Sequence, residues 1–516
     1  MMHHSTTTTQ DARAGAVDPA DAVLTPATRD RALALLAGAL STGVDLKVRE
    51  DIYAAPRVAP ERLRDLIVDD LPEVSSDPGQ VIDDIRRGML PYCKNEASPR
   101  FAGFADTGAD IAALAGAVLA LFAQQNLINQ SFDSPSATFV DIAVLRWLRD
   151  FVGYDNPALD TVADVWDVGG VLTQGGTGSN AVAMMLAREH AAPGTMREGV
   201  RDPGRFKLVV PAGIGHYSVK GALGWLGCGD ALLEVPVSDY RYDLAALRRA
   251  LRAYDGRVMG VVAYAGDSRT QTIDDLVAVH DVVRGEDPGI WLHADACWGL
   301  LAAFTSRLRH KIRGIERYDS VTVDAHKVME VPYTLSALLV RDPQALRSIT
   351  TYSDLIMRER FAFGQVTPFT GSRAWESLKL WAMMRARGRA GLAAMADHRI
   401  ATVAEFTRLV DAQPRLVRLH DPDLTALVFA YLPAGHDPAA PDVERINLVN
   451  RRVHADLMRG GRWHLHQFSV PDAGRIAAGA EVWPLRFLGG NSRTTPGHLA
   501  ALVDEVVRLG DVHDAR

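Results

Sequence analysis

The chain has 516 residues, 47% of them hydrophobic and 23% charged, with 56 lysines and arginines against 63 aspartates and glutamates and a net charge of −7. That length exceeds what one hydrophobic core serves and calls for two or three structural units, while the mild acidity argues against nucleic acid or an anionic membrane as the main partner. The three cysteines, Cys93, Cys228 and Cys297, are far apart and odd in number, which argues against a disulfide framework and for a reducing compartment.

Residues 1–24, beginning MMHHSTTTTQDARAGAVDPAD, are low-complexity and polar; a disordered tail is expected there, with neither a signal peptide nor a membrane span, and the cytoplasm is the expected location. From Thr25, PATRDRALALLAGALSTGVD has helical spacing, and VAPERLRDLIVDDLPEV (58–74) has a second helical pattern begun by Pro60. These helices are too short to build a core alone, so they are expected to pack on a neighbouring subunit or domain. A loop-like stretch, Ser98–Thr107, precedes an Ala/Leu-rich helix from about Ile111 to Gln124. Pro135 then marks a turn, and apolar residues recur at helical spacing through Tyr154, with Trp147 and Phe151 as core residues.

Next comes a strand, Gly170–Thr173, followed by Gln174-Gly175-Gly176-Thr177-Gly178-Ser179-Asn180 and a helix, AVAMMLAREHA. Glycines and small hydroxyl residues at a helix start form an anion site through exposed amides and the helix dipole. The strand at 206–210 ends in GIGHYSVKGALGWLG, which places His216 at a carboxyl strand end, where an imidazole can stack on a planar ring. The strand at 260–265 leads to Gly266-Asp267-Ser268. Strands alternating with helices, each ending in small or polar residues, describe an α/β open sheet.

Two further strands carry the chemistry. Gly289–His293 opens into Ala294-Asp295-Ala296, and Ser320–Val323 opens into Asp324-Ala325-His326-Lys327. In a mainly parallel sheet covered on both faces, ligands sit at the carboxyl ends of strands, so Asp295 and Lys327 share one crevice. The pair suits pyridoxal phosphate. A lysine kept neutral by burial attacks the cofactor's aldehyde, and a carboxylate against the pyridine nitrogen keeps that nitrogen protonated, so the ring accepts electrons from a bond broken at Cα. The alternative is an Asp–Lys ion pair at a sheet end.

These stretches resemble the group II pyridoxal-phosphate-dependent amino-acid decarboxylases, which have the fold-type-I architecture and include the aromatic-amino-acid and glutamate enzymes. DSVTVDAHK is similar to the family's N/D-x-H-K, whose last residue bonds the cofactor, here Lys327; HADAC is similar to H-x-D-A, whose Asp pairs with the pyridine nitrogen, here Asp295. HYSVKGA resembles the segment of the ring-stacking histidine, His216, and GGTGSN the phosphate-binding segment, placing Gly176 and Thr177 at the phosphate. Ser268, Asp324 and His326 follow as further cofactor contacts. The resemblance implies an N-terminal helical dimerisation segment (25–95), a large cofactor domain with a mainly parallel, seven-stranded-type sheet (96–372), a small C-terminal α/β domain (373–516) and a homodimer with shared active sites.

The departures from the family also inform. Gly178 stands where an acid is usual, and Asp267-Ser268 replaces a frequent Thr-Thr. The segments expected to line the substrate pocket, Phe104–Thr107 and Leu127–Ser131, supply Phe104, Asp106, Leu127 and Asn129, not an aromatic-rich wall. A small aliphatic or polar amino acid is therefore expected, and Asp106 would suit a distal cation unless it is a turn or cap residue. Where the family carries a loop tyrosine that protonates Cα, an ungapped count reaches Phe363; Tyr352 is the nearest tyrosine. The expected reaction is decarboxylation to an amine. The alternatives are decarboxylation coupled to oxidative deamination by dioxygen, giving an aldehyde, and another fold-type-I activity. A metal site of His293, Asp295, Asp324 and His326 and a nucleotide-dependent dehydrogenase are weaker rivals.

Overall fold

The computed structural model describes residues 22–103, 106–350, 353, 359–366, 369 and 371–515. They fall into two compact units: the described residues up to Phe101 together with Leu457–His464, and Ala102–Asp456 together with the chain from Leu465 onward.

The first unit carries three helices, α1 (Arg29–Val48), α2 (Pro60–Ile67) and α3 (Pro78–Gly88). Proline at the first position of α2 and α3 gives up an amide that has no partner there anyway. Asp77 caps α3 by accepting from the amides of Gly79 and Gln80. The second pattern, expected to reach 74, stops at Ile67, where Val68 turns to extended backbone. None of the three helices buries a residue.

The second unit is built on a seven-stranded sheet: β1 (Gly170–Thr173), β2 (Lys207–Pro211), β3 (Leu232–Val235), β4 (Val258–Tyr264), β5 (Trp291–Asp295), β6 (Ser320–Asp324) and β7 (Ser336–Val340), in the order β1-β7-β6-β5-β4-β2-β3. Only β7 runs against its neighbours, β6 and β1; the others are parallel, as expected. Strands β4 to β7 are buried along their whole length, which is why they read as unbroken apolar runs and not as an alternation. Five helices matter for the site and its surroundings: α4 (Ile111–Ala123), α5 (Ala137–Val152), α6 (Gly176–Ala191), α7 (Tyr217–Trp225) and the long α8 (Ser377–Asp411), which breaks at Gly388 with φ 58°. Beyond α8 lies an antiparallel sheet of β8 (Leu416–Arg418), β9 (Ala426–Tyr431), β10 (His466–Gln467) and β11 (Leu485–Leu488), ordered β8-β9-β11-β10. Because the large sheet is mainly parallel, the carboxyl ends of β1, β2, β4, β5 and β6 lie along one edge, and the loops leaving them meet there.

Candidate active site

Six of the residues singled out from the sequence, Gly176, Thr177, His216, Ser268, Asp295 and Lys327, line one cavity at that edge. They arrive from five strand ends, Gly176 and Thr177 together from β1. Gly175, at φ 117°, turns the chain out of β1 so that α6 starts at Gly176. A Cβ at Gly176 would lie 2.6 Å from Cys297 Sγ and 2.9 Å from both Asp324 carboxylate oxygens, so only glycine leaves this end of the cavity open.

Lys327 follows β6 by one helical turn, and its Nζ lies 2.7 Å from Asp324 Oδ2. The lysine was expected to be neutral through burial. Burial does oppose its charge, but Asp324, with Cys297 and Asp295 behind it, outweighs that and holds the amine above its ordinary pKa of 10.5. Asp324 is held below the usual carboxylate range in turn: burial works against it, but Lys327 and His326 prevail. Ser336 Oγ also donates to Asp324.

Asp295, at the end of β5, is held at both oxygens: Oδ1 accepts from the Cys297 amide at 3.1 Å and Oδ2 from Asn180 Nδ2 at 2.9 Å. His216 is the N-cap of α7; its Nδ1 accepts from the Ser218 amide at 3.2 Å, and its own amide donates to the Tyr264 hydroxyl at 2.8 Å. Burial keeps its imidazole below the ordinary pKa of 6.5 against the pull of Asp295.

Other expected site residues lie elsewhere. Asp106 does not line this cavity: its carboxylate accepts from Arg399 Nη2 at 2.9 Å on both oxygens and from the amides of Thr107 and Glu330 at 2.7 Å each. It is a buried ion-pair partner, not an acid presented to a ligand. Leu127 is buried with its amide donating to the Arg373 carbonyl, and Asn129 is buried with Oδ1 accepting from the Phe132 amide; neither lines the cavity. His326 does not line the cavity: its Nδ1 is 2.9 Å from the Leu335 carbonyl oxygen and its Nε2 3.9 Å from Asp324 Oδ2. Phe104 and Tyr352 lie outside the described residues. The four side chains of the metal-site alternative do not converge. His293 faces Asn180 and Ser320, and among the described residues no three His, Cys, Asp or Glu side chains group around a metal position.

Sequence reasoning overlooked Asn180, Tyr217, Tyr264, Cys297 and Trp298, which complete the cavity lining with Gly266, and Arg486 in the adjoining recess. Asn180 ends the GGTGSN segment and Cys297 ends HADAC, so the motif boundaries alone carried a signal for these two.

An amine at one strand end, a doubly held carboxylate at the next, an imidazole from a third and a glycine-opened helix start are the donor set that pyridoxal phosphate requires. The family description "Pyridoxal-dependent decarboxylase conserved domain" matches residues 60–432. L-2,4-diaminobutyrate decarboxylase of Rhizobium meliloti (strain 1021) is 28% identical over 470 residues, spanning 88% of this chain and 87% of that protein. Cysteine sulfinic acid decarboxylase of Rattus norvegicus is 28% identical over 420 residues, 78% of this chain and 81% of that protein. The crystal structure of mouse CSAD in apo form has the same fold, with a TM-score of 0.82 at 24% identity over 93% of this chain and 99% of that one. This chain belongs to the pyridoxal-dependent decarboxylase family, and it is a carboxy-lyase that uses pyridoxal phosphate as its cofactor.

Proposed function

We propose that the enzyme decarboxylates a small amino acid whose side chain ends in an anion, a carboxylate or a sulfinate, and releases the corresponding amine. The observation that carries this is Arg486. It is 2% exposed and lines a recess that shares His216, Tyr217 and Ser268 with the cofactor cavity. Its Nη1 donates to the Ser268 carbonyl at 2.5 Å, its Nε has no partner, and its guanidinium lies 5.1 Å from the centre of the Phe468 ring. Among the described residues, no carboxylate is hydrogen-bonded to it. Burial accordingly lowers its pKa to about 10, with only Asp267 acting the other way. Arg269 and Lys220 line the same recess, against the one acid Glu234. A cation buried beside the reacting centre without a carboxylate is suited to receive one from a ligand. One relative named above acts on cysteine sulfinate, which carries such an anion. Another acts on diaminobutyrate, but the acid expected to meet a distal cation, Asp106, is already taken by Arg399.

In this reading Lys327 Nζ would hold the cofactor at its aldehyde carbon, and Asp324 keeps the free amine protonated. The amides at Gly176 and Thr177 would receive the phosphate. Asp295 would keep a proton on the pyridine nitrogen, His216 would pack against the ring and Ser268 would offer it a hydroxyl. The bound cofactor supplies a protonated ring that accepts the electron pair released when the bond from Cα to the carboxylate breaks. Tyr217, His216 and Lys327 line the cavity as groups able to carry a proton to Cα. A second reading, aldehyde formation with dioxygen, rests on Phe363: it is 1% exposed and has no hydroxyl to give.

The enzyme is further read as a homodimer. The α1 helix leaves Leu33, Leu40 and Val44 more than half exposed, and α4 does the same with Ile111, Leu119 and Leu121. Apolar faces of this kind are suited to cover by a second copy, as the N-terminal helical segment was expected to be.

Incubating the holoenzyme with aspartate, glutamate, cysteine sulfinate and 2,4-diaminobutyrate, with products read by mass spectrometry and oxygen followed by electrode, tests the proposal. Amines from the acidic substrates without oxygen uptake are expected. Aldehydes with oxygen uptake would establish the second reading instead.

A further inference from the structure

One wall of the cavity is backed by a connected set of polar side chains, and the proposed steps give no part to the residues that link it. Asn180, on α6 and 1% exposed, sits at its centre. Its Nδ2 is 2.9 Å from Asp295 Oδ2 and 2.9 Å from Ser218 Oγ, and its Oδ1 is 3.2 Å from His293 Nε2. Ser218 Oγ is 2.7 Å from His216 Nδ1, and His293 Nδ1 is 2.8 Å from Ser320 Oγ, which also accepts from the Trp291 indole at 2.9 Å.

Three groups in this set have only one possible role, and they fix all the others. A carboxylate only accepts, so the amide edge facing Asp295 is the NH2 edge, and Asn180 Oδ1 must face His293. An oxygen there only accepts, so His293 carries its proton on Nε2. Burial lowers the His293 pKa to about 4 against Asp295 and a contact to the Ser320 backbone, so the ring is neutral; with its proton on Nε2, Nδ1 takes the hydroxyl proton of Ser320 at 2.8 Å. That assignment agrees with the indole of Trp291, a donor only, which already occupies a lone pair of Ser320. On the other side, the second amide hydrogen of Asn180 goes to Ser218 Oγ. A backbone amide only donates, and the Ser218 amide points at His216 Nδ1 from 3.2 Å. His216 Nδ1 therefore accepts, from that amide and from the Ser218 hydroxyl, and the neutral ring holds its proton on Nε2.

We propose that Asn180 is a positioning residue that sets the Asp295 carboxylate and the proton-bearing edge of His216 through one hydrogen-bonded chain running from Trp291 to His216. In this role it acts through Asp295 and Ser218. Through Nδ2 it supplies one of the two donors that hold the Asp295 carboxylate, the other being the Cys297 amide. Through Ser218 it keeps His216 Nδ1 occupied, so the N–H that this ring can offer to a ligand is on Nε2. Isolated hydrogen bonds would leave these settings independent. A single side chain joining them makes the two cofactor-facing groups respond together to one change.

The inference rests on the reading that Asp295 and His216 face the cofactor, and its principal test does not depend on that reading. Neutron diffraction from deuterium-exchanged crystals of the holoenzyme locates the protons. Deuterium on Nε2 and not on Nδ1 of both His216 and His293, with the Asn180 ND2 group toward Asp295, is expected; deuterium on Nδ1 of His216 would overturn the chain. The coupling is tested with Asn180→Asp, which sets a second carboxylate against Asp295. Cofactor affinity, followed by absorbance on dialysis, should weaken by about tenfold or more, as is typical when an outer-shell partner is changed. Cofactor affinity within twofold of the parent, with only a lower melting temperature, would make Asn180 a packing residue and end the proposal. If Asn180→Asp does not fold, Asn180→Ala removes one of Asp295's two donors and is read the same way. Retention of the lysine-bound cofactor absorbance in Lys327→Ala would instead overturn the site reading and leave the proton positions to stand by themselves.

Discussion

Arg399 and Arg486 are buried to the same degree, each 2% exposed, and each has an Nε without a partner, yet they sit in opposite electrostatic settings. Arg399 is bound by both oxygens of Asp106, with Glu330 Oε1 at 3.5 Å, and these carboxylates raise its pKa although burial acts to lower it. Arg486 has a carbonyl, an aromatic face and no hydrogen-bonded acid, and burial wins. A buried charge that is matched belongs to the architecture; one that is left short beside a reactive cavity is available to a ligand. The same contrast separates Asp106, read from sequence as a substrate contact, from its actual role as Arg399's counter-charge.

The largest effect expected in the molecule is on the reacting side of this comparison. Lys327→Ala should abolish turnover, by several orders of magnitude, together with the lysine-linked cofactor absorbance, and it strands the Asp324 carboxylate in a dry site. Persistent turnover measured with purified protein would contradict the assignment of Lys327. On the architectural side, Asp106→Ala leaves Arg399 buried with only Glu330 nearby, and a loss of about 3–5 kcal/mol is expected from denaturant unfolding. A change below about 1 kcal/mol would show that the pair is not what holds this region.

Much of this was legible in the sequence where chemistry and chain position coincide. HADAC and VTVDAHK put their acid and lysine at the ends of apolar strands, and the strands at 170–173 and 320–324 formed where the apolar runs lay. What escaped were pairings between distant segments. Asp106 and Arg399 are 293 positions apart, Asn180 and Asp295 115, and Arg486 and Ser268 218. No local pattern signals that an acid in a loop will be claimed by a helix far along the chain. The lysine's protonation escaped for a similar reason: burial was legible from the strand, but the sign of the shift depends on a 2.7 Å contact with Asp324.

A third prediction concerns acid stability. Folded His293 takes up its proton only near pH 4, whereas the unfolded chain does so near 6.5, with burial as the main cause. Its neutral form therefore contributes full stability above pH 6.5, and that contribution falls as the pH drops toward about 4, by about 3 kcal/mol at most. In His293→Gln the unfolding free energy should depend less steeply on pH in that window. An identical slope in parent and variant would show that His293 is not the group responsible. The smallest stability effect is expected at Arg486 itself. Arg486→Met replaces an unmatched cation with an apolar chain of similar length, so the protein should unfold at equal or higher denaturant, by about 0–2 kcal/mol. A loss like that of Asp106→Ala would erase the distinction between the two arginines.

The account's central claim is that Arg486 is kept for the substrate and not for the fold. The most direct test is kcat/KM of the parent and of Arg486→Met for cysteine sulfinate, aspartate and 2,4-diaminobutyrate. The account predicts that the parent turns over the anionic substrates and not diaminobutyrate, and that the variant loses about 100-fold or more on them, the scale expected when a buried charged partner is removed. Preferred turnover of diaminobutyrate, or unchanged kcat/KM for the acids in the variant, would contradict it.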